Sequence, residues 1–287
     1  MSKIKFTTDS TVDIPISMQE EFFIEAVPLT NILGDKEYLD NGKDLTGTMI
    51  TEFVERTKTI PKTAAPSPEL YIETFKKWVD QGYDVIHFSL SSQISSSNQN
   101  AVFASKEFDN VYVVDTESLS TGTALQILDS MDYVKEHPQA STKEVYERAL
   151  ERVQKCQASF VVDSLDYLHK GGRCNLAQFL GASILKLHPK LELINGKIVA
   201  MKKYKGNQML QIYLKYIEEL RQEFPDFDET RAFITYTEGT EEEFADLVEQ
   251  KTKELFGFKK IIRTHAGTTI TCHCGKGTLG LLFMRKQ

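Results

Sequence analysis

The 287-residue chain is poor in cysteine, has a single tryptophan and carries no long apolar run. Its four cysteines, Cys156, Cys174, Cys272 and Cys274, are too sparse for a disulfide framework. No stretch approaches the ~20 apolar residues that a membrane-spanning helix needs. The opening residues turn polar at Thr7, so no apolar core of a secretory signal is present. These absences lead us to expect a reducing, cytoplasmic setting. Positive charge is also short: 34 Lys and Arg stand against 41 Asp and Glu, a formal charge of −7, and no dense basic block occurs. Without that electrostatic footprint, nucleic acid is not expected as a main partner. Nucleotide and hydrolase signatures are missing too. No Gly-x-x-x-x-Gly-Lys-Ser/Thr loop exists, and Thr8-Asp9-Ser10-Thr11-Val12 after the first strand has no glycine for dinucleotide binding. Ser95 lies in the hydroxyl-rich run 91–97, not in a Gly-x-Ser-x-Gly elbow. Cys272-His273-Cys274 lacks the paired Cys-x-x-Cys spacing of structural zinc sites, so neither a metal nor another cofactor is expected.

What remains is an ordinary globular composition, 41% hydrophobic and 26% charged, long enough for two α/β domains, 1–157 and 158–287. Strand-like runs at 4–10, 26–30, 84–90 and 111–115 alternate with helical spacing over 16–22, 48–57 and 68–81. That grammar gives a largely parallel sheet flanked by helices. Three of these strands run into loops rich in Thr, Ser and Asp, and such sheets bind ligands beyond the carboxyl ends of their strands. One polar rim is therefore expected, although capping of the following helices also calls for these residue types. Ser141-Thr142-Lys143-Glu144 is a capping-box start for a helix over 143–156. The second half is expected to place a strand over 158–163, a Gly-Gly turn, a helix over 176–187 and a hairpin turning at Asn195-Gly196. Helices over 208–224 and 241–256 then alternate with a strand over 231–236 and two late strands. From residue types alone, the chain is a small-ligand protein on an α/β frame.

A set of short motifs narrows this. Thr8-Asp9-Ser10 with Asp13-Ile14-Pro15, Val27-Pro28-Leu29 with Tyr38-Leu39-Asp40, and Thr63-Ala64-Ala65-Pro66-Ser67 resemble ordered segments of the DegV family. The loop at Ser95-Ser96-Ser97, Val114-Asp115-Thr116 and Ser120-Thr121-Gly122 are similar to the segments that follow. The most specific match is Leu165–Arg173, which ends in Lys170-Gly171-Gly172-Arg173. His188-Pro189, Asn195-Gly196-Lys197 and the glycine cluster 273–280 complete the resemblance along the whole chain.

The resemblance implies two α/β domains with a lipid tunnel at or near their junction. It implies a non-catalytic protein that binds a long-chain fatty acid such as palmitate and presents its carboxylate to the catalytic subunit of a fatty acid kinase. The nucleotide site would then lie on the partner, and transient membrane contact would serve lipid exchange. By motif position, Thr63, Ser95 and His273 are expected at the carboxylate, and Arg173 near the head group and the partner's phosphate. Hydroxyls and a ring N–H are suitable donors to a carboxylate, and a guanidinium engages carboxylate and phosphate alike. Two other functions stay open: an acyl esterase or thioesterase using Ser95 and His273, and a lipid carrier without a kinase. Ser96, Ala64, Ala65 and Lys276 depart from the family pattern, and Lys276 is expected to add positive charge at the head-group end.

Overall fold

The computed structural model describes residues 3–174 and 187–286. The chain opens with β1 (Lys3–Asp9), a 3-10 turn, α1 (Ile16–Glu21) and three short strands, β2 (Glu25–Val27), β3 (Thr30–Leu33) and β4 (Lys36–Leu39). Then come α2 (Gly47–Thr57), β5 (Lys62–Ala64), α3 (Pro68–Val79), β6 (Tyr83–Ser89), α4 (Ser97–Ser105) and β7 (Val111–Asp115). Two helices, α5 (Thr121–Glu136) and α6 (Thr142–Arg152), lead into β8 (Cys156–Val161) and α7 (Asp166–Gly171). The rest holds β9 (Leu187–Ile194), β10 (Lys197–Lys205), α8 (Met209–Glu223), β11 (Phe227–Tyr236) and α9 (Glu242–Phe256). It closes with β12 (Ile261–His265), α10 (Thr268–Cys274) and β13 (Leu279–Arg285).

The first sheet runs β2-β1-β6-β7 and is parallel throughout. Alternation along β6 explains why helices cover both of its faces. Val85 points to a cluster with Tyr71, Phe75 and Trp78 of α3 and Ala101 and Ala104 of α4. Ile86 and Phe88 point the other way, onto Leu125 and Ile127 of α5 and Val145 of α6. That second cluster also takes Phe233, Leu282 and Met284 from the other large sheet. Helix α5 is thus packed between the two sheets, which share one core.

The second sheet, β10-β9-β8-β13-β11-β12, is mostly antiparallel, with β11 and β12 parallel. Its hairpin turns where expected: Asn195 and Gly196 both have positive φ, 48° and 76°, the requirement of a type I′ turn. A small antiparallel sheet, β4-β3-β5, was not apparent in the sequence. The architecture is therefore mixed α/β, a helix-flanked parallel sheet beside a second sheet.

Several expected boundaries shift. The capping box of Ser141 and Glu144 forms, but α6 ends at Arg152 and Cys156 already begins β8. Pro28 separates two strands, β2 and β3, where one strand was expected. The helix expected over 176–187 lies outside the described residues except for Leu187, which opens β9. Residues 166–171 form the helix α7, which the Gly-Gly turn had hidden, and Gly172 ends it in the left-handed conformation at φ 69°.

Candidate functional site

The order of the parallel sheet dictates where a site can form. From β1 the chain crosses to β2 on one side, whereas β6 and β7 extend the sheet on the other, so the direction of winding reverses between β1 and β6. Ligands in such sheets sit beyond the carboxyl ends of the strands at that reversal. A cavity of about 370 Å³ lies there, within the roughly 300–1,000 Å³ typical of small-ligand pockets. The loops after β1, β2, β6 and β7 contribute Thr11, Leu29, Leu90, Ile94, Ser95, Ser96 and Leu119 to its wall. The second half closes it with Leu168, Arg173, Ile198 and α10.

Helix α10 supplies one wall because Thr269, Ile270, His273 and Cys274 fall on one helical face. Its sequence, Thr-Thr-Ile-Thr-Cys-His-Cys, is rich in β-branched residues and has poor helix propensity. Distant polar groups hold it. The Gly267 N–H donates to Asp13 Oδ1 at 2.8 Å, and Thr268 Oγ1 donates to Asp40 Oδ1 at 2.6 Å. Asn31 of β3 donates to Thr268 at 2.8 Å and accepts from Thr269 at 3.0 Å. Side-chain oxygens at a helix N-terminus satisfy its free N–H groups. Burial outweighs these bonds for Asp13 and pushes its carboxyl up to about 8.

The four site residues expected from the motifs all line this cavity: Thr63, Ser95, Arg173 and His273. Thr63 on β5 is brought in by its pairing with Asn31, the residue that also holds α10. Thr63 Oγ1 and His273 Nε2 lie 2.9 Å apart. Among the described residues His273 Nδ1 is buried without a polar partner, facing Gly171, where a Cβ would come within 2.9 Å of it. The tautomer follows: a proton on Nε2 is donated to Thr63, which frees the Thr63 hydroxyl proton for the cavity. Burial, reinforced by the Arg173 charge, lowers the His273 pKa to about 4, so the ring is neutral near pH 7. Arg173 Nη1 donates to the Gly171 carbonyl at 2.7 Å, and its side chain lines both the cavity and an outer groove. That groove, about 400 Å³, also holds Ser92, Gln93 and Gln99 and shares Ile94, Ser95, Ser96 and Arg173 with the cavity wall.

Ser95 bonds to Ser97, not to His273: the two hydroxyls are 2.9 Å apart and Ser97 N–H donates to Ser95 Oγ at 3.2 Å. It thus accepts the N–H of the first residue of α4 and lines the cavity at once. Ser96, in place of the family glycine, sits at φ −82°, so the loop needs no glycine there. Lys276 corrects an expectation. It is absent from the cavity wall and pairs with Glu55 at 2.6 Å, lining a separate surface groove with Asp163 and Tyr213. Cys272 faces Asn31, and burial raises its thiol pKa, as it does for Cys274. Among the described residues, no cluster of three His, Cys, Asp or Glu side chains is placed to hold a metal, and no helix is long and apolar enough to cross a membrane. The motif residues Asp13 and Asp40 had no role in the sequence; both hold α10.

The model of an uncharacterised protein family, the DegV family, matches residues 3–286. The chain belongs to the DegV family. A Thermotoga maritima relative named fatty acid-binding protein is 31% identical over 285 residues, covering 97% of this chain and 96% of the relative. A Thermus thermophilus DegV structure, described by its fatty acid binding, superposes with a TM-score of 0.89 at 25% identity, covering 99% of this DegV chain and 100% of that one. The Streptococcus pneumoniae Fatty Acid Kinase B3 protein, loaded with linoleic acid, superposes at 0.82 with 19% identity over 99% and 100% of the two chains. At that identity the likeness concerns the fold.

Proposed function

We propose that this protein binds a long-chain fatty acid such as palmitate and presents its carboxylate to a separate kinase subunit, without catalysis of its own. The observation that carries this is the cavity's polarity. Leu29, Leu90, Leu119, Leu168, Ile198 and Ile270 offer an apolar lining, while Thr63 meets His273 in the same wall and Ser95 and Arg173 line both the cavity and the outer groove. A fatty acid has this division. Each buried methylene contributes about 0.8 kcal/mol, so the tail supplies most of the affinity. The Thr63 and Ser95 hydroxyls donate to the carboxylate, His273 holds Thr63 in its donor orientation, and Arg173 supplies the positive charge. With His273 neutral, that charge is a guanidinium that reaches both the head group and the groove. A phosphate arriving through the groove would meet the same guanidinium, where it stabilises the charge that builds up in transfer. The fatty-acid-binding relatives and the kinase-associated fold neighbour support this assignment.

The esterase alternative does not find its Ser95–His273 pair, since Ser95 bonds Ser97 and His273 bonds Thr63. A carrier without a kinase is separated by reaction. Lipid extracted from the purified protein is expected to be an unbranched fatty acid by mass spectrometry. Addition of a fatty acid kinase catalytic subunit and ATP is expected to convert it to acyl-phosphate. Absence of acyl lipid would overturn the binding function, and bound lipid inert to the kinase would overturn the presenting role alone.

A further inference from the structure

Helix α4 is built the reverse of an ordinary surface helix. Its buried face holds only small residues, Ser97, Ala101 and Ala104, the two alanines packed among Tyr71, Phe75 and Trp78 of α3. Its large apolar residues, Val102 and Phe103, face outward, 39% and 57% exposed. Phe103 is the most exposed large hydrophobic side chain among the described residues. A surface helix ordinarily turns such residues to the core and charged ones to solvent. Here the charges are missing as well. The helix reads Ser-Asn-Gln-Asn-Ala-Val-Phe-Ala-Ser, whereas every other described helix of eight residues or more carries both acidic and basic side chains. The acid-free stretch is longer than the helix and runs from Val85 to Lys106, in a chain of net charge −7.

Exposed apolar surface with an aromatic centre and no charge is the composition of an interface core. The position of this face says what covers it. Gln99 lines the outer groove together with Arg173. Val102 and Phe103 follow it by three and four residues, so the three lie on one helical face with about 5–6 Å between neighbouring Cβ atoms. The face is thus a rim of the groove. Among the described residues the groove wall has one guanidinium and no carboxylate, which suits an arriving phosphate. A phosphate brought by a protein has to reach a carboxylate at Ser95, which lines groove and cavity alike. That protein's surface must then rest on the rim. A lipid surface fits less well, because interfacial helices carry Lys and Arg on their polar face and α4 has neither.

We propose that the outer face of α4, centred on Phe103 with Val102 beside it, is the docking face for the kinase catalytic subunit that phosphorylates the bound fatty acid. This rests on the presenting role proposed above. An aromatic anchor on the rim aligns the partner's active site with the groove. Its removal weakens docking and leaves the lipid in place, because neither Val102 nor Phe103 lines the cavity.

The test loads the full chain with palmitate and follows acyl-phosphate formation by a fatty acid kinase catalytic subunit with ATP, at varied concentrations of the loaded protein. Phe103→Gln is expected to raise KM for the loaded protein about tenfold, the loss of one interface anchor. Its kcat should stay within twofold, with lipid content and Tm unchanged. Leu150→Gln, at another exposed apolar residue, on α6, is expected to leave KM within twofold. A KM within twofold for Phe103→Gln, with normal turnover of the unmodified protein, overturns the docking face alone, and so does an equal rise for Leu150→Gln. If the kinase does not phosphorylate lipid on the unmodified protein, the presenting role fails and the docking face with it. Should Phe103→Gln lose its lipid or its fold, Val102→Gln is read by the same criterion. Two results assign the face to another occupant and overturn the proposal, each with KM unchanged. One is a dimer in sedimentation that Phe103→Gln converts to a monomer; the other is binding to phosphatidylglycerol vesicles that Phe103→Gln abolishes.

Discussion

Gly171→Ala perturbs the head-group site with a single methyl group. Gly171 is the last residue of α7, and alanine suits a helical backbone better than glycine by about 0.5–1 kcal/mol in helix interiors. The backbone therefore accepts the change. The side chain does not fit: the new Cβ would stand 2.9 Å from His273 Nδ1 and 3.6 Å from Cε1, while ordinary contact begins at 3.4 Å. The imidazole must retreat by the difference, 3.4 less 2.9, or 0.5 Å. Its other nitrogen is held 2.9 Å from Thr63 Oγ1, a contact that such a shift either crowds or breaks. Loss of that bond removes about 1–1.5 kcal/mol, close to tenfold in affinity for a fatty acid, because Thr63 no longer points its proton at the carboxylate. Palmitate titration and a thermal melt on the same sample measure both sides. We expect affinity to fall five- to tenfold with an unchanged or raised Tm. Affinity within twofold of the unmodified protein would refute the linkage of Gly171, His273 and Thr63.

Other perturbations follow from the same geometry. Arg173→Ala is expected to retain co-purified lipid yet lose most acyl-phosphate formation with a kinase subunit; loss of lipid or a normal rate contradicts its role. Gly196→Ala combines a positive φ of 76° with a Cβ that would fall 2.5 Å from Ser91 Oγ. It should lower stability by about 1–3 kcal/mol, seen as a reduced Tm. Asp13 keeps a proton in the folded state that the unfolded chain releases near pH 4, so its contribution to stability is complete below that pH and declines as pH rises to about 8. Asp13→Asn should flatten that descending limb in pH-dependent melts, and an unaltered limb would refute the assignment. His273 acts in the opposite sense: its folded pKa of about 4 lies below the ordinary 6.5, so stability is lost as pH falls through that window, and His273→Gln should reduce the loss.

The parallel sheet was legible because β1, β6 and β7 are short apolar runs that end in polar loops, and the rule for such sheets placed the rim correctly. Helix α10 was not legible. Its β-branched residues argue against a helix, and the groups that hold it, Asp13, Asn31 and Asp40, are more than two hundred residues away in sequence. The strands β3, β4 and β5, three or four residues each, are too short for a periodicity to register. Thr63, Ser95, Arg173 and His273 were named through motif resemblance, and the fold brings them to one cavity. Their mutual contacts were out of reach, because Thr63 meets His273 across 210 positions.

The most direct measurement is a crystal structure of the protein with palmitate. The carboxylate is expected within ~3.2 Å of both Thr63 Oγ1 and Ser95 Oγ, with the tail among Leu29, Leu119 and Ile270. An acyl chain whose head group lies away from both hydroxyls, or a cavity that takes no acyl chain at all, would contradict the central claim.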